Sequence, residues 1–291
     1  MEQASSATLR REPFRLFFPL GVLLSWVGVG HWLLYAVGAS QTYSCHMHAL
    51  IQLQAFLPAF ALGFLLTAVP RRTASAPASG GVIVLMALGL VTLTGFAAHE
   101  RWVLVQATYL AVLALLIAFA LRRFVGAAAG RRPPANFVLI PLGLLQGAAG
   151  ALLMLGHDLW RAAPWTAELG RLLVTQGVFL CFFIGVGGLV LPLMSGAAPP
   201  PDLSDSPRER RKLLAYAAVG VASAATLVGE VAGYEGSMSL LRAIVVAAGF
   251  ASAPAARRRP GRPGVTRRLV WLAVWLTPLG LAVAGLWPEY R

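Results

Sequence analysis

Nine stretches of about 20 mostly apolar residues constrain this chain more than any other feature of its sequence. A helix of ~20 residues crosses the ~30 Å hydrocarbon layer of a membrane, whereas the strands of a membrane barrel have ~10 residues of alternating polarity. Residues 82–98 do not alternate in polarity. We therefore predict an all-α, polytopic transmembrane bundle of about nine helices, at residues 16–38, 48–70, 80–98, 102–121, 136–156, 171–194, 213–233, 237–256 and 269–287.

The composition excludes a water-soluble domain. Hydrophobic residues make up 58% and charged residues 12% of the 291 positions, whereas a soluble domain has ~25% charged residues. The longest inner connections, near residues 196–212 and 257–268, are rich in Pro and Arg and too short to fold alone. We expect a single integral membrane domain over 1–291, whose function lies within the lipid bilayer or at its surfaces.

The formal net charge of +13 comes from basic residues whose placement indicates the topology of the chain in the membrane. No nucleic-acid partner is expected. With the N-terminus in the cytoplasm, 19 of the 24 basic residues fall on the inner side, which is the usual bias of membrane proteins. This predicts a multi-pass protein of a bacterial inner (cytoplasmic) membrane, with a periplasmic C-terminus and no cleavable signal peptide. The inner residues are Arg10, Arg11, Arg15, Arg71, Arg72, Arg122, Arg123, Arg131, Arg132, Arg208, Arg210, Arg211, Lys212, Arg257, Arg258, Arg259, Arg262, Arg267 and Arg268.

A shift of 122 residues aligns two parts of the chain and predicts an internal duplication. It places Pro19-Leu20-Gly21 on Pro141-Leu142-Gly143, and residues 50–70 on 172–192, with Gln54 on Gln176. We expect a first four-helix repeat at 10–125, a second at 132–256 and a ninth helix at 267–291. Because each copy has an even number of helices, both would have the same orientation in the membrane.

The five histidines all fall toward the predicted outer side of the membrane. His31 lies within the first span, His46 and His48 begin the second, and His99 and His157 end the third and fifth. An ionisable side chain inside the hydrocarbon layer is costly and indicates a functional site, and imidazole is a common metal ligand. The alternative is that these histidines are interfacial residues that hydrogen-bond to neighbouring helices.

Two helix faces extend the predicted histidine site. Gly28 and Tyr35 share the face of His31, where Gly28 would let a partner or a flat cofactor approach closely and Tyr35 could donate a hydrogen bond. The segment Cys45-His46-Met47-His48 groups soft and borderline metal ligands. Below it, one stripe of span two has a polar end and a small-residue end, which predicts close helix packing beneath a polar contact. The stripe consists of His48, Gln52, Ala55, Ala59 and Gly63.

Other intramembrane residues are interpreted as mainly structural. Glu230 near one end of span seven is expected to pair with Arg242 in span eight, since a buried Arg needs a partner. A face of small residues in span six predicts helix packing. It consists of Gly177, Cys181, Gly185 and Gly188.

The segment from His48 to Pro70, with Gly-Phe-Leu-Leu-Thr-Ala-Val-Pro at 63–70, resembles the NnrS family of polytopic inner-membrane proteins. The opening Pro13-Phe-Arg-Leu-Phe-Phe18 is similar to the start of that family, and the resemblance covers roughly residues 11–72. His48 takes the place of the family's first motif histidine, while Leu50 and Ile51 stand at the second histidine and the acidic residue. His46 is the candidate substitute. Typical members are longer, so the chain resembles a short form.

This resemblance implies a haem-binding protein, with copper as a second candidate metal, that takes part in the nitric oxide and nitrosative stress response. A b-type haem held by two neutral imidazoles, or by one with an open face for a diatomic gas such as nitric oxide, is chemically reasonable. We expect His31 and His48 as ligands. Further metal-ligand candidates are His46, His99 and His157, and the cofactor-binding candidates also include Tyr35 and Gln52.

Two other functions stay open on the sequence alone. Parallel repeats and intramembrane glutamines favour a small-solute transporter, and short loops are compatible with a non-catalytic membrane assembly subunit. The sequence contains no Gly-x-Ser-x-Gly or Walker A motif, so a hydrolase is not predicted. It does not establish catalysis or the oligomeric state.

Overall fold

The computed structural model describes residues 8–41, 43–125, 132–196, 198, 200–257, 259–260 and 264–287. Within these residues the chain forms helices and contains no strand, which confirms the all-α prediction. Three of the inner arginines named above, Arg131, Arg258 and Arg262, lie outside the described residues.

Nine long helices of the described residues coincide with the nine predicted spans. Eight of them are long and apolar enough to cross a membrane, so the chain is a multi-pass membrane protein. The remaining helix, α8, has only 17 residues. It ends at Ala251 and is followed by the short helix Pro254–Arg257. The helices are α1 (Phe14–Ala36), α2 (Cys45–Thr73), α3 (Gly80–Ala98), α4 (Trp102–Val125), α5 (Leu139–Trp160), α6 (Pro164–Met194), α7 (Pro207–Val231), α8 (Glu235–Ala251) and α9 (Val265–Leu286).

Helix α7 begins earlier than predicted. Ser206 caps the helix by accepting a hydrogen bond from the Glu209 backbone N–H at 3.3 Å, and Pro207 occupies the first helical turn. Ser followed by Pro, and by Glu three residues after the cap, is a strong helix start. The expected connector at 196–212 is therefore helical from Pro207 onward.

Helices α2 and α6 each contain one π-helical turn, which the sequence analysis did not predict. The turns are Ile51–Phe56 and Leu173–Gly177, and they carry Gln54 and Gln176. Such turns are rare insertions in α-helices and rotate the side chains that follow them. The two turns begin 122 residues apart, which is the shift of the predicted duplication.

The chain divides into two compact units, Met1–Arg132 with Ala151–Ala167 (unit 1) and Pro133–Gly150 with Glu168–Arg291 (unit 2). In unit 1, α1 packs along α2 through glycines. A Cβ at Gly21 would lie 2.9 Å from the Phe60 ring, and a Cβ at Gly63 would lie 2.9 Å from the Phe18 ring. Small residues allow this close approach of two membrane helices.

In unit 2, α5 packs along α6 in the same manner. A Cβ at Gly143 would lie 2.9 Å from the Phe182 ring, and one at Gly185 would lie 3.3 Å from the Cβ of Leu139. A Cβ at Gly150 would lie 2.6 Å from the carbonyl oxygen of Gly170. The small-residue face predicted for span six therefore does pack against neighbouring segments.

Replacing Gly150 by Ala is expected to destabilise the protein by ~1–3 kcal/mol, because the new methyl group would meet backbone that cannot move freely. Gly30→Ala is the matched control, since a Cβ there meets nothing within 4 Å, and Ala is favoured over Gly in a helix by up to ~1 kcal/mol. Thermal unfolding in detergent would compare the two. A Gly150→Ala variant as stable as Gly30→Ala would contradict the packing.

Candidate functional site

The turn that joins α1 to α2 brings together three of the predicted site residues: His31, His48 and Gln52. Helix α2 begins at Cys45 because Ser44 caps it, accepting a hydrogen bond from the Met47 backbone N–H at 3.1 Å. This cap fixes the entry of the chain into α2, and His48 follows one turn later on the side facing α1.

His48 is held by the backbone of α1. Its Nδ1 lies 3.2 Å from the carbonyl oxygen of Gly28. Since a carbonyl oxygen can only accept, Nδ1 carries the proton, and the neutral ring keeps a lone pair on Nε2. Metal-binding histidines typically donate their other N–H to a backbone carbonyl in this way, which orients the ring and increases its basicity. His48 is half-buried, and its neutral form with the proton on Nδ1 would have Nε2 free to bind a metal.

Both polar atoms of the Gln52 side-chain amide form hydrogen bonds with α1. Its Nε2 donates to the Ser25 carbonyl oxygen at 3.0 Å, and its Oε1 accepts from the Ser25 hydroxyl at 3.3 Å. A Cβ at Gly28 would lie 2.8 Å from Gln52 Nε2. The space beside Gly28 is thus filled by Gln52 and Ile51, so Gly28 admits a partner helix, α2, rather than a flat cofactor.

His31 is hydrogen-bonded differently from His48. Its Nε2 accepts the Ser44 backbone N–H at 3.0 Å, and its ring stacks on Tyr43 with centroids 5.5 Å apart. A neutral ring that accepts at Nε2 carries its proton on Nδ1. Neither nitrogen then has a free lone pair, so binding a metal through Nε2 would require His31 to release Ser44.

Two tyrosines flank His31. Tyr35 is exposed, and its ring lies 5.9 Å from that of Tyr43. Loss of hydration raises the pKa of Tyr43 above 10.0, and the neighbouring Cys45 raises this pKa further. Tyr43 therefore stays a neutral phenol at neutral pH and supplies a hydroxyl rather than an anionic ligand.

The remaining histidines occupy separate places. His46 contacts the ring of Trp102 edge-on, with centroids 4.6 Å apart, and His99 lies exposed at the end of α3. His157 lies in α5, and its Nδ1 is 2.9 Å from the Ala162 carbonyl oxygen, which also leaves its Nε2 open. In the described part of the chain, no three His, Cys, Asp or Glu side chains form a metal-binding group.

The α1–α2 turn offers one candidate protein ligand for a haem iron, His48. Haem needs one imidazole with a free nitrogen and apolar surroundings. His48 supplies the first, and the end of α1 exposes apolar side chains: Trp32, Leu33, Leu34 and Val37. The described residues contain no group of three His, Cys, Asp or Glu donors that could hold copper.

Sequence reasoning missed a buried amide pair in unit 1. Gln54, on the π-helical turn of α2, donates from Nε2 to Gln106 Oε1 on α4 at 2.8 Å, and Gln106 donates back at 3.3 Å. Both side chains are fully buried. Two glutamines inside apolar spans were the available signal, but the sequence does not say which helices meet.

A family model described as NnrS protein matches residues 8–290. The chain belongs to the NnrS family. The match covers nearly the whole chain, whereas the sequence motifs carried the resemblance only over residues 11–72. Among curated proteins and among solved structures, no match was found.

Proposed function

We propose that this NnrS family protein is a haem-binding inner-membrane protein of the nitric oxide and nitrosative stress response, in which His48 would hold the iron of a b-type haem. The observation that carries the proposal is the hydrogen bond from His48 Nδ1 to the Gly28 carbonyl oxygen, which leaves Nε2 free at the α1–α2 turn. When bound, haem iron would supply a coordination position for a diatomic gas.

We infer that the N-terminus is cytoplasmic, which places the α1–α2 turn and His48 at the periplasmic side. Arg71 and Arg72 at the opposite end of α2 support this orientation, because basic residues favour the cytoplasmic side. Haem would thus lie at the periplasmic edge of the bilayer, where a gas dissolved in lipid or water can reach it.

We also infer that the α1–α2 hairpin and the α5–α6 hairpin are copies of one ancestral unit. Three glycine contacts support this, because each recurs at a shift of 122 residues, as do the π-helical turns. The corresponding pairs are Gly21–Phe60 and Gly143–Phe182, Gly28–Ile51 and Gly150–Leu173, and Gly63–Phe18 and Gly185–Ile140.

Comparing the two hairpins indicates which residues of the first hairpin are needed for packing and which are available for function. At the same shift, His31, His48 and Gln52 correspond to Leu153, Gly170 and Val174. The second hairpin therefore packs through the same glycines without any of the three polar side chains. The polar residues of the first hairpin are not needed for its packing, which supports their use in binding a ligand.

The absorption spectrum of the purified protein, supplied with haem in mild detergent, tests the proposal. The wild-type protein is expected to give a Soret band, and His48→Ala is expected to lower haem affinity by at least ~10-fold, since losing even an outer partner of a ligand costs that much. His99→Ala is the control because His99 is exposed and remote in sequence. A Soret band of unchanged intensity and position in His48→Ala would refute the assignment.

A further inference from the structure

The buried side of α7 in unit 2 carries a line of polar groups. Gly220, Ser223, Thr226 and Glu230 follow one another at intervals of three or four residues and so share one face of the helix. Ser223 is 1% exposed, Thr226 2% and Glu230 8%. At 1.5 Å per residue, the line extends ~15 Å along the helix.

Each end of this line is connected to another helix. At one end, Gln146 on α5 donates from Nε2 to the Gly220 carbonyl oxygen at 3.3 Å. At the other end, Arg242 on α8 donates from Nη2 to Glu230 Oε2 at 2.5 Å and from Nη1 to Thr226 Oγ1 at 3.5 Å. Ser223 lies between the two ends.

Three buried polar atoms on or beside the line lack a hydrogen-bond partner: Ser223 Oγ, Arg242 Nε and Gln146 Oε1, which lies beside Gly177 of α6. Buried polar atoms in proteins nearly always bond to protein or to ordered water. The three atoms include an acceptor, a donor and a hydroxyl that can be either. A water molecule both donates and accepts hydrogen bonds, so water satisfies all three roles.

Charge and space also favour water over an ion. The Arg242 guanidinium and the Glu230 carboxylate neutralise each other, so the line has no net charge to attract an anion or a cation. At the other end, Gln146 and Gly220 line a surface cleft of about 320 Å³ together with the exposed residues Leu145 and Val221. That volume exceeds the ~30 Å³ that a water molecule occupies.

We propose that the buried face of α7 binds a file of ordered water molecules that runs from Glu230 to Gln146. The file satisfies Arg242 Nε, Ser223 Oγ and Gln146 Oε1 and brings water into the hydrocarbon-spanning part of unit 2. It is a hydration site separate from the histidine site of unit 1 and does not depend on haem.

The Ser223→Ala variant distinguishes a hydrated line from a dry one. If the line is dry, removing an unpaired hydroxyl stabilises the protein, and Ala is also the better helix former. If Ser223 bonds to water, the variant loses that bond, and the thermal unfolding midpoint is expected to fall by ~2–4 °C. An unchanged or raised midpoint would overturn the proposal.

X-ray radiolytic footprinting gives a second readout, because X-rays produce hydroxyl radicals from water inside the protein. The experiment uses Ser223→Cys in full-length protein that also carries Cys45→Ser and Cys181→Ala, reconstituted in lipid. Ala225→Cys is the matched control, since Ala225 is two residues away and exposed on the surface of the helix. Mass spectrometry is expected to detect oxidation at Cys in place of Ser223 and none in place of Ala225. Oxidation of neither, or of both equally, would contradict a water file.

Discussion

Glu230→Leu is expected to destabilise the protein by ~3–5 kcal/mol, because it leaves the charge of Arg242 buried and without its partner. Arg242 is 0% exposed, and its other described contact is the Thr226 hydroxyl at 3.5 Å. A hydroxyl group cannot neutralise a guanidinium. The ion pair is therefore the condition under which an arginine can lie inside unit 2.

The double variant Glu230→Leu/Arg242→Leu is expected to recover most of this loss, since an apolar pair of similar volume replaces both charges. Glu209→Gln is the control for an exposed pair, because Glu209 contacts Lys212 at the surface and such pairs contribute at most ~1 kcal/mol. Thermal unfolding in detergent measures all three variants. If the double variant is less stable than Glu230→Leu, the charges themselves have a role beyond mutual neutralisation.

Apolar length predicted the helices because a membrane span requires ~20 apolar residues whatever its neighbours. All nine predicted stretches are helical in the described residues. The boundaries were less predictable, since local hydrogen bonds set them. Ser206 starts α7 before the apolar stretch begins, and Pro164 starts α6 seven residues before the predicted span.

The π-helical turns could not be predicted from apolar length. A π turn changes the hydrogen bonding of one helical turn without changing composition, so Ile51–Phe56 looks like any other apolar segment. The pairing of Gln54 with Gln106 depends on which helices meet, and that information is tertiary. By contrast, the pairing of Glu230 with Arg242 was predicted, because few ionisable residues lie inside the spans and a buried charge needs a partner.

The histidine site was likewise only partly predictable from the sequence. Sequence placed His31 and His48 near one turn, and the structure does bring them to the α1–α2 turn. Sequence could not distinguish the two rings, because the distinction rests on backbone partners. The Ser44 N–H occupies the lone pair of His31, whereas the Gly28 carbonyl leaves that of His48 free.

The double variant His48→Gly/Gln52→Val is expected to lose haem while keeping its fold. It gives the first hairpin the residues found at the corresponding positions of the second, Gly170 and Val174. A glycine inside a helix costs ~1 kcal/mol, so only a small fall in the unfolding midpoint is expected. Haem affinity should fall by at least ~10-fold, because no neutral imidazole with a free nitrogen remains on α2 beside Gly28.

Gln54→Leu is the complementary control, because it changes a glutamine that both hairpins have. The residue at the corresponding position of the second hairpin is Gln176. This variant leaves Gln106 buried without a partner, which costs ~1–3 kcal/mol, but it does not alter His48. It should therefore lower the unfolding midpoint and retain the Soret band, the reverse of the double variant.

If His48→Gly/Gln52→Val fails to fold, the polar residues are part of the packing and the two hairpins are not interchangeable at these positions. If it folds and retains full haem affinity, the ligand lies elsewhere, and His157, whose Nε2 is also open, becomes the next residue to replace.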